Sequence, residues 1–277
     1  MAKVNRKDFL EVAKKKIHRP ADLPPNFSFL IYGRNKRGKS TFGVSGGIEK
    51  TLVIDPEAGT KAMVNANPYV WPMERWADLD EIYGALRTGQ LSPAVLGGDS
   101  DEPFSIVNLD GVTKINNICL KHVMKVQEDR DLDRQPGFVQ QRDYGKSGEL
   151  MKEMFQKFQT LPMVKIYTAQ ERMIVGNETF SSGEEDDDAD DEDNDITWVP
   201  DLPKGVRADL EGQVDVIGRI TAQKVEVKGK TKLQRRLYIG VHEGLDTGFR
   251  SDFDLPSVIK YPKIPKLIKL MSEGTIK

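Results

Sequence analysis

The chain has a single cysteine, Cys119, and three dispersed histidines, His18, His122 and His242, among its 277 residues. One thiol cannot close an intrachain disulfide, and so few soft ligands cannot assemble a Cys/His zinc site. A disulfide framework and a Cys/His zinc site are therefore excluded, and a reducing, cytoplasmic setting is expected. No apolar run approaches the roughly 20 residues of a bilayer-spanning helix, and the N-terminal region lacks the apolar stretch of a secretory leader. The reading is a soluble protein without a membrane partner. A strong net charge is also missing, since the formal value is −2, but that balance is local. Residues 184–195 hold ten carboxylates, and the rest of the chain then carries 41 basic against 33 acidic residues, about +8. Such an excess suits a polyanionic partner and a lysine-solvated surface equally well.

What the chain does contain is Gly33-Arg34-Asn35-Lys36-Arg37-Gly38-Lys39-Ser40, a full match to G-x-x-x-x-G-K-[ST], directly after the apolar run Phe27–Tyr32. The two glycines let the backbone curl so that successive N–H groups point at one anion. Lys39 reaches the outer phosphates and Ser40 offers a hydroxyl to Mg²⁺. A helix from about Lys39 to Gly46 adds its positive end to the same place. The nucleotide-binding set expected is Gly33, Arg34, Asn35, Lys36, Arg37, Gly38, Lys39, Ser40 and Thr41, with ATP and Mg²⁺ as ligands.

Residues 1–24 read as a basic arm, with Lys14-Lys15-Lys16 and Arg19 and a short helical pattern ended by prolines. A core follows over 25–260, and 261–277 form a C-terminal tail. Four apolar, β-branched runs read as buried strands: Phe27–Tyr32, Thr51–Ile54, Phe104–Leu109 and Met163–Thr168. Helical spacing over Trp76–Leu86, Ile115–Val126 and Leu150–Phe158 alternates with them. That alternation predicts an α/β fold with a mostly parallel central sheet flanked by helices and ligands at the carboxyl ends of the strands. The acidic stretch cannot bury surface and repels itself, so 181–195 is expected to be a disordered loop inside the core. Beyond it, Val214–Lys228 and Arg236–His242 read as a C-terminal β-hairpin extension joined by Lys228-Gly-Lys-Thr-Lys. Leu255–Met271 mixes prolines with Ile and Leu and reads as short helical pieces. No internal repeat is present.

A nucleotide hydrolase also needs a carboxylate for the metal, a group that orients the attacking water and a group that senses the γ-phosphate. The apolar run Phe104–Leu109 ends in Asp110, a Walker B pattern that pairs Asp110 with Ser40 as metal-supporting residues. Val53-Ile54-Asp55-Pro56-Glu57 ends another strand with two carboxylates, and Tyr167-Thr168-Ala169-Gln170-Glu171 places polar groups after a third. An aspartate at a strand end also serves as a turn or cap residue, and a simple turn with Asp before Pro is the alternative for Asp55 and Glu57.

In order and content, the phosphate loop, Ile54–Ala58, Leu109-Asp110-Gly111-Val112 and Thr168-Ala169-Gln170 resemble the RecA-type ATPase core. Asp-x-Glu-x-Gly at 55–59, Arg142-Asp143-Tyr144-Gly145 before a helix, Leu161-Pro162 and Thr168–Glu171 are similar to the compact RecA-like ATPases of bacteriophages. Several of those are linked to single-strand annealing and recombination. The resemblance covers about residues 25–260 and implies a RecA-like P-loop NTPase core. It implies that Glu57 activates water, that Gln170 couples the γ-phosphate to a DNA-binding loop, and that the protein hydrolyses ATP, stimulated by DNA. It further implies single-stranded DNA as partner, self-association into a ring or filament, an accompanying single-strand-binding protein, and the host-cell cytoplasm as location for a phage-encoded chain.

The resemblance meets resistance at the loop after Gln170, where the acidic run would repel phosphates. Gln127–Gly148 is better suited to DNA, because Arg130, Arg134, Arg142 and Lys146 interleave with Phe138 and Tyr144. Neighbouring acids nearly cancel that charge, which leaves a plain surface loop as the alternative. Enzymes of this type hydrolyse at subunit interfaces, and Arg250 is the candidate for the cation reaching across, with Lys228, Lys230 and Lys232 as rivals. Two other assignments share the same residues. One is a helicase-like, loader or packaging motor acting with a protein or duplex DNA partner, and the other is a nucleotide-dependent scaffold with little turnover.

Overall fold

Burial on both faces explains why the inner strands read as unbroken apolar runs. In the computed structural model, which describes residues 6–17, 19, 24–131, 133–175, 196–227 and 229–274, every residue of β1 (Ser28–Tyr32), β2 (Thr51–Asp55), β4 (Ile106–Asp110) and β5 (Val164–Ala169) is buried. Alternate side chains enter different cores. Leu30 and Tyr32 of β1 join an apolar cluster on one face of the sheet, while Phe29 and Ile31 join another on the opposite face. The acidic run, and with it the expectation of disorder over 181–195, lies outside the described residues.

The described strands of the main sheet run in the order β11-β9-β8-β1-β5-β4-β2-β3, with β10 paired to β8. Here β3 is Tyr69–Pro72, β8 Val216–Val227, β9 Lys230–Tyr238, β10 Gly248–Phe249 and β11 Val258–Lys260. From β3 to β8 all neighbours are parallel, and the antiparallel pairings are confined to β9, β10 and β11. The α/β class and the mostly parallel sheet with helices on both faces are as expected. Strand β5, which leads to Gln170, lies between β1, which leads to the phosphate loop, and β4, which ends in Asp110.

Helices α3 (Asp78–Arg87), α4 (Val112–Arg130), α5 (Gln141–Gln159) and α6 (Lys204–Gln213) supply buried residues such as Ile82, Ile115, Phe155 and Leu210 to the first cluster. Helix α7 (Ile264–Glu273) lays Ile264, Leu267 and Met271 into the second, beside Phe42 of the short α2 (Lys39–Gly43). Helix α1 (Arg6–Lys16) leaves Leu10 and Val12 exposed. Among the described residues no helix is long and apolar enough to cross a membrane.

The hairpin departs from expectation in two ways. Pairing runs from Arg219–Tyr238 out to Val227–Lys230, so its second arm begins at Lys230 rather than Arg236. The outer part of the second arm, with Thr231, Lys232 and Leu233 exposed, shows no apolar alternation to mark it as strand. Its inner half is no appendage either, because β8 pairs directly with β1. A separate ribbon, β6 (Glu171–Val175) with β7 (Ile196–Pro200), brackets the undescribed acidic segment. Helix α2 stops at Gly43 rather than Gly46, since the glycine pair Gly46-Gly47 cannot sustain it.

Candidate functional site

At the carboxyl ends of β1, β2, β4 and β5 a cavity of about 480 Å³ opens between the phosphate loop and the strand ends. Asn35, Lys36, Gly38, Lys39, Ser40 and Thr41 line one side of it, and Glu57, Asp110 and Gln170 line the others. The loop is held in shape by local backbone. Gly33 N–H donates to the Ala169 carbonyl at 3.3 Å, and a Cβ on Gly33 would lie 2.5 Å from the carbonyl oxygen of Ile220 on β8. Gly38 takes φ 104°, a conformation that side chains resist, and so turns the chain into α2. Lys39 folds back across the loop, its Nζ donating to the carbonyls of Gly33 at 2.7 Å and Arg34 at 3.1 Å. Burial pulls its amine below the ordinary lysine pKa, against the carboxylates of Asp110, Glu57 and Glu171, which favour the charged form.

Asp110 is buried at the end of β4, and its carboxylate accepts from Thr168 Oγ1 at 2.7 Å. Burial raises its pKa, while hydrogen bonds from Ser40 and Thr168 oppose the rise. Ser40 and Asp110 thus sit together as hard oxygen donors beside open space. Mg²⁺ is commonly held by one or two carboxylates plus substrate phosphates rather than by a protein cage. A hydroxyl and a carboxylate of that kind, lining the cavity together, fit magnesium brought in with a nucleotide.

The two acids at the end of β2, Asp55 within it and Glu57 just after, divide their work. Asp55 accepts from the N–H groups of Glu57 (3.0 Å), Gly59 (3.2 Å) and Thr60 (2.9 Å) and from Thr60 Oγ1 (2.5 Å). Burial pushes its pKa up, but those hydrogen bonds outweigh the burial and leave it below the usual carboxylate range. Asp55 builds the turn, and the turn delivers Glu57, exposed, over Gly111, where an added Cβ would stand 3.5 Å from Glu57 Oε1. Gln170 is pinned by its backbone: its N–H donates to Thr113 Oγ1 at 3.1 Å and its carbonyl accepts from Asp201 N–H at 2.8 Å. That leaves its side chain to face the cavity.

Three arginines of the expected set lie elsewhere. Arg34 Nε donates to Glu171 at 3.1 Å, and Arg219 donates to the same carboxylate at 2.8 and 3.2 Å. Both guanidinium groups lie about 5 Å from the Trp198 ring, at 5.1 and 5.0 Å. Arg37 donates to the Ala222 carbonyl at 3.3 Å, outward onto β8. Arg250 lies at the amino-terminal end of the strands, its N–H on the Asp215 carbonyl and its guanidinium on the Gly212 carbonyl. It cannot reach its own phosphate loop, so a role for it exists only across an interface. Arg235 of β9 lines the cavity although no motif contains it; the dibasic Arg235-Arg236 was the only signal available.

In the 127–148 region, Arg134 is withdrawn from solvent. Its NH1 donates to Asp143 at 3.0 Å, its NH2 bonds the other oxygen of Asp143 and the Phe138 carbonyl, and both charged side chains are fully buried. The Arg134 guanidinium holds the Asp143 carboxyl below its usual range. Asp143 also closes a capping box with Gln140 at the start of α5. Arg134 is therefore a loop anchor rather than a phosphate contact. Arg142 pairs with Asp131 at 3.4 Å, and Phe138 and Tyr144 stay exposed at the surface.

A family model described as an AAA domain matches residues 26–251, most of the chain. No curated protein matches the sequence. Among solved structures, a KaiC-like protein, PH0186, from the hyperthermophilic archaeon Pyrococcus horikoshii OT3 is similar at 10% identity, with 87% of this chain and 91% of that one covered and a TM-score of 0.40.

Proposed function

Because the chain belongs to the AAA-domain family and is a P-loop ATPase by that membership, we propose that it is a phage-type RecA-like enzyme that hydrolyses Mg·ATP in this cavity and acts on single-stranded DNA in recombination or replication. The observation that carries the reading is the convergence of Lys39, Ser40, Glu57, Asp110 and Gln170, from the phosphate loop and three further strand ends, on a single cavity. Backbone N–H groups of the loop and the Lys39 amine bind the phosphates, and Lys39 exchanges its carbonyl partners for them. Ser40 and Asp110 would hold magnesium brought in with the nucleotide, where it would neutralise phosphate charge, and Thr168 fixes the orientation of Asp110. Glu57, exposed at the mouth, orients a water and accepts its proton, and Gln170 reads the terminal phosphate from a backbone fixed between α4 and the segment leading to α6.

The placement of Arg250 is compatible with self-association. A head-to-tail ring or filament that set the amino-terminal strand ends of one protomer against the phosphate loop of the next would give this arginine access to a neighbour's nucleotide. Single strands, accompanied by a single-strand-binding protein, stack on Phe138 and Tyr144 with Arg130 and Lys146 on the phosphates. The pairing of Arg134 and Arg142 with acids weakens that surface, and it favours as a second reading a motor or loader acting with a protein or duplex partner. Steady-state ATP hydrolysis with no DNA, single strands or duplex, with Lys39→Ala as blank, separates the readings. Selective stimulation by single strands supports the first. A rate indifferent to DNA supports the second, and ATP binding without turnover leaves a nucleotide-dependent scaffold.

A further inference from the structure

Arg235 projects from β9 into the cavity that contains Lys39 and Ser40. Its backbone is fixed on both sides, by the pairing of β9 with Ala222 of β8 and by a 2.9 Å hydrogen bond from Tyr261 N–H to its carbonyl. Arg37 of the phosphate loop donates to the carbonyl of the same Ala222, so the loop and the arginine share one anchor. The Arg235 side chain crosses directly over Gly38, with Cδ and Nε occupying the space that a Cβ there would fill. Its Nε is buried and has no hydrogen-bond partner. A cationic N–H left unsatisfied in a buried position is costly, and a guanidinium side chain that lines a site built for anions gains a partner when an anion binds there.

We propose that Arg235 is a phosphate-binding residue of the nucleotide site, supplied by the same chain that supplies the loop. The proposal rests on the nucleotide-binding reading above and adds a second cation to it. The loop backbone at Gly38 belongs to the part of a phosphate loop that cradles the α- and β-phosphates, whereas its lysine reaches the β- and γ-phosphates. A planar guanidinium over Gly38 therefore grips the α/β pair, with the fork geometry that suits phosphate oxygens. Three consequences follow. ADP and ATP benefit alike and AMP, lacking the β-phosphate, benefits less. Tight binding is complete within one protomer and does not wait for assembly. Arg235 serves affinity, while any arginine reaching across an interface serves turnover.

Equilibrium titration with Mg·ATP, Mg·ADP and AMP tests this on wild type, Arg235→Ala, Arg235→Gln and Arg236→Ala. Arg236 is the neighbour on the other side of the strand, engaged with Gln234 at 2.8 Å, and it is the control for general loss of positive charge. Losing charge-assisted hydrogen bonds should weaken ATP and ADP binding together, on the order of 10- to 100-fold, with AMP little changed and Arg236→Ala at wild-type affinity. Arg235→Gln keeps the stem over Gly38 and serves in the same titration if Arg235→Ala does not fold. Wild-type affinity in both Arg235 variants overturns the proposal, and so does a loss confined to ATP. If wild type itself binds neither nucleotide, it is the nucleotide-binding reading that fails.

Discussion

The cluster around Trp198 contains two ion pairs that look alike in a contact map and should differ severalfold in energy. Glu171, whose side chain is 2% exposed, is shared by Arg219, 17% exposed, and Arg34, 62% exposed. The Arg34 pair is a single 3.1 Å contact of a solvated side chain, the kind worth about 0.2–1 kcal/mol after screening and lost rotamer freedom. The Arg219 pair has two contacts, at 2.8 and 3.2 Å, between largely desolvated groups. Truncating one partner of such a pair strands the other without a counter-charge, which costs about 3–5 kcal/mol. Because part of Arg219 still reaches water, the lower end applies, about 3 kcal/mol against a total folding stability of about 5–15 kcal/mol. Urea denaturation of Glu171→Ala, Arg219→Ala, Arg34→Ala and the two double variants gives both coupling energies by double-mutant cycle. The expected couplings are about 2–3 kcal/mol for Glu171 with Arg219 and below about 1 kcal/mol for Glu171 with Arg34. Equal couplings, or a larger one for Arg34, would refute the assignment of Arg219 as the stronger, structural partner of Glu171.

Asp110→Asn keeps the shape of the β4 end but removes the charge beside Ser40, so the Mg²⁺ concentration needed for half-maximal ATP hydrolysis should rise at least about tenfold; an unchanged Mg²⁺ titration argues against its role. Glu211 is pushed up to about 8 by burial first and by the Asp246 carboxylate second, against Arg207, which lowers it. A folded-state pKa above the unfolded value of about 4.5 means that the folded form binds more protons in between, so this group's contribution to stability falls as pH rises through that window. The urea midpoint should therefore drop less from about pH 5 to about pH 8 in Glu211→Gln than in wild type, and parallel profiles would contradict this. Gly33→Ala should lose nucleotide binding while the apo protein melts at a lower temperature, because its Cβ would meet the Ile220 carbonyl at 2.5 Å and neither backbone can yield cheaply; retention of both properties would show that the loop can shift.

The phosphate loop and the four central strands were legible because buried parallel strands are continuous apolar runs, and because two of them end in an aspartate at the site, Asp55 and Asp110. Asp110 could be anticipated from its place at the end of such a run. Strand β3 escaped notice because it is a four-residue edge strand only partly buried. The ribbon β6–β7 is also largely solvated, and its two halves are separated in sequence by the acidic segment. Arg134 read as a surface cation among many charges, since nothing local reveals that Asp143, nine residues on, folds over it out of water. Arg235 was invisible for the same reason at longer range: it meets Gly38 only because β8 pairs with β1 and β9 pairs with β8. Asp55 and Glu57 carried one motif between them, and only the hydrogen bonds of Asp55 separate the acid that builds the turn from the acid that the turn presents.

The catalytic reading rests most directly on Glu57, and single-turnover hydrolysis of saturating Mg·ATP by wild type and Glu57→Gln, with nucleotide affinity measured in parallel, tests it. Glu57→Gln should bind ATP as wild type does and hydrolyse it on the order of 10²-fold or more slowly, the usual contribution of a positioned general base. Equal hydrolysis rates at equal affinity would contradict the assignment and remove Glu57 from the mechanism.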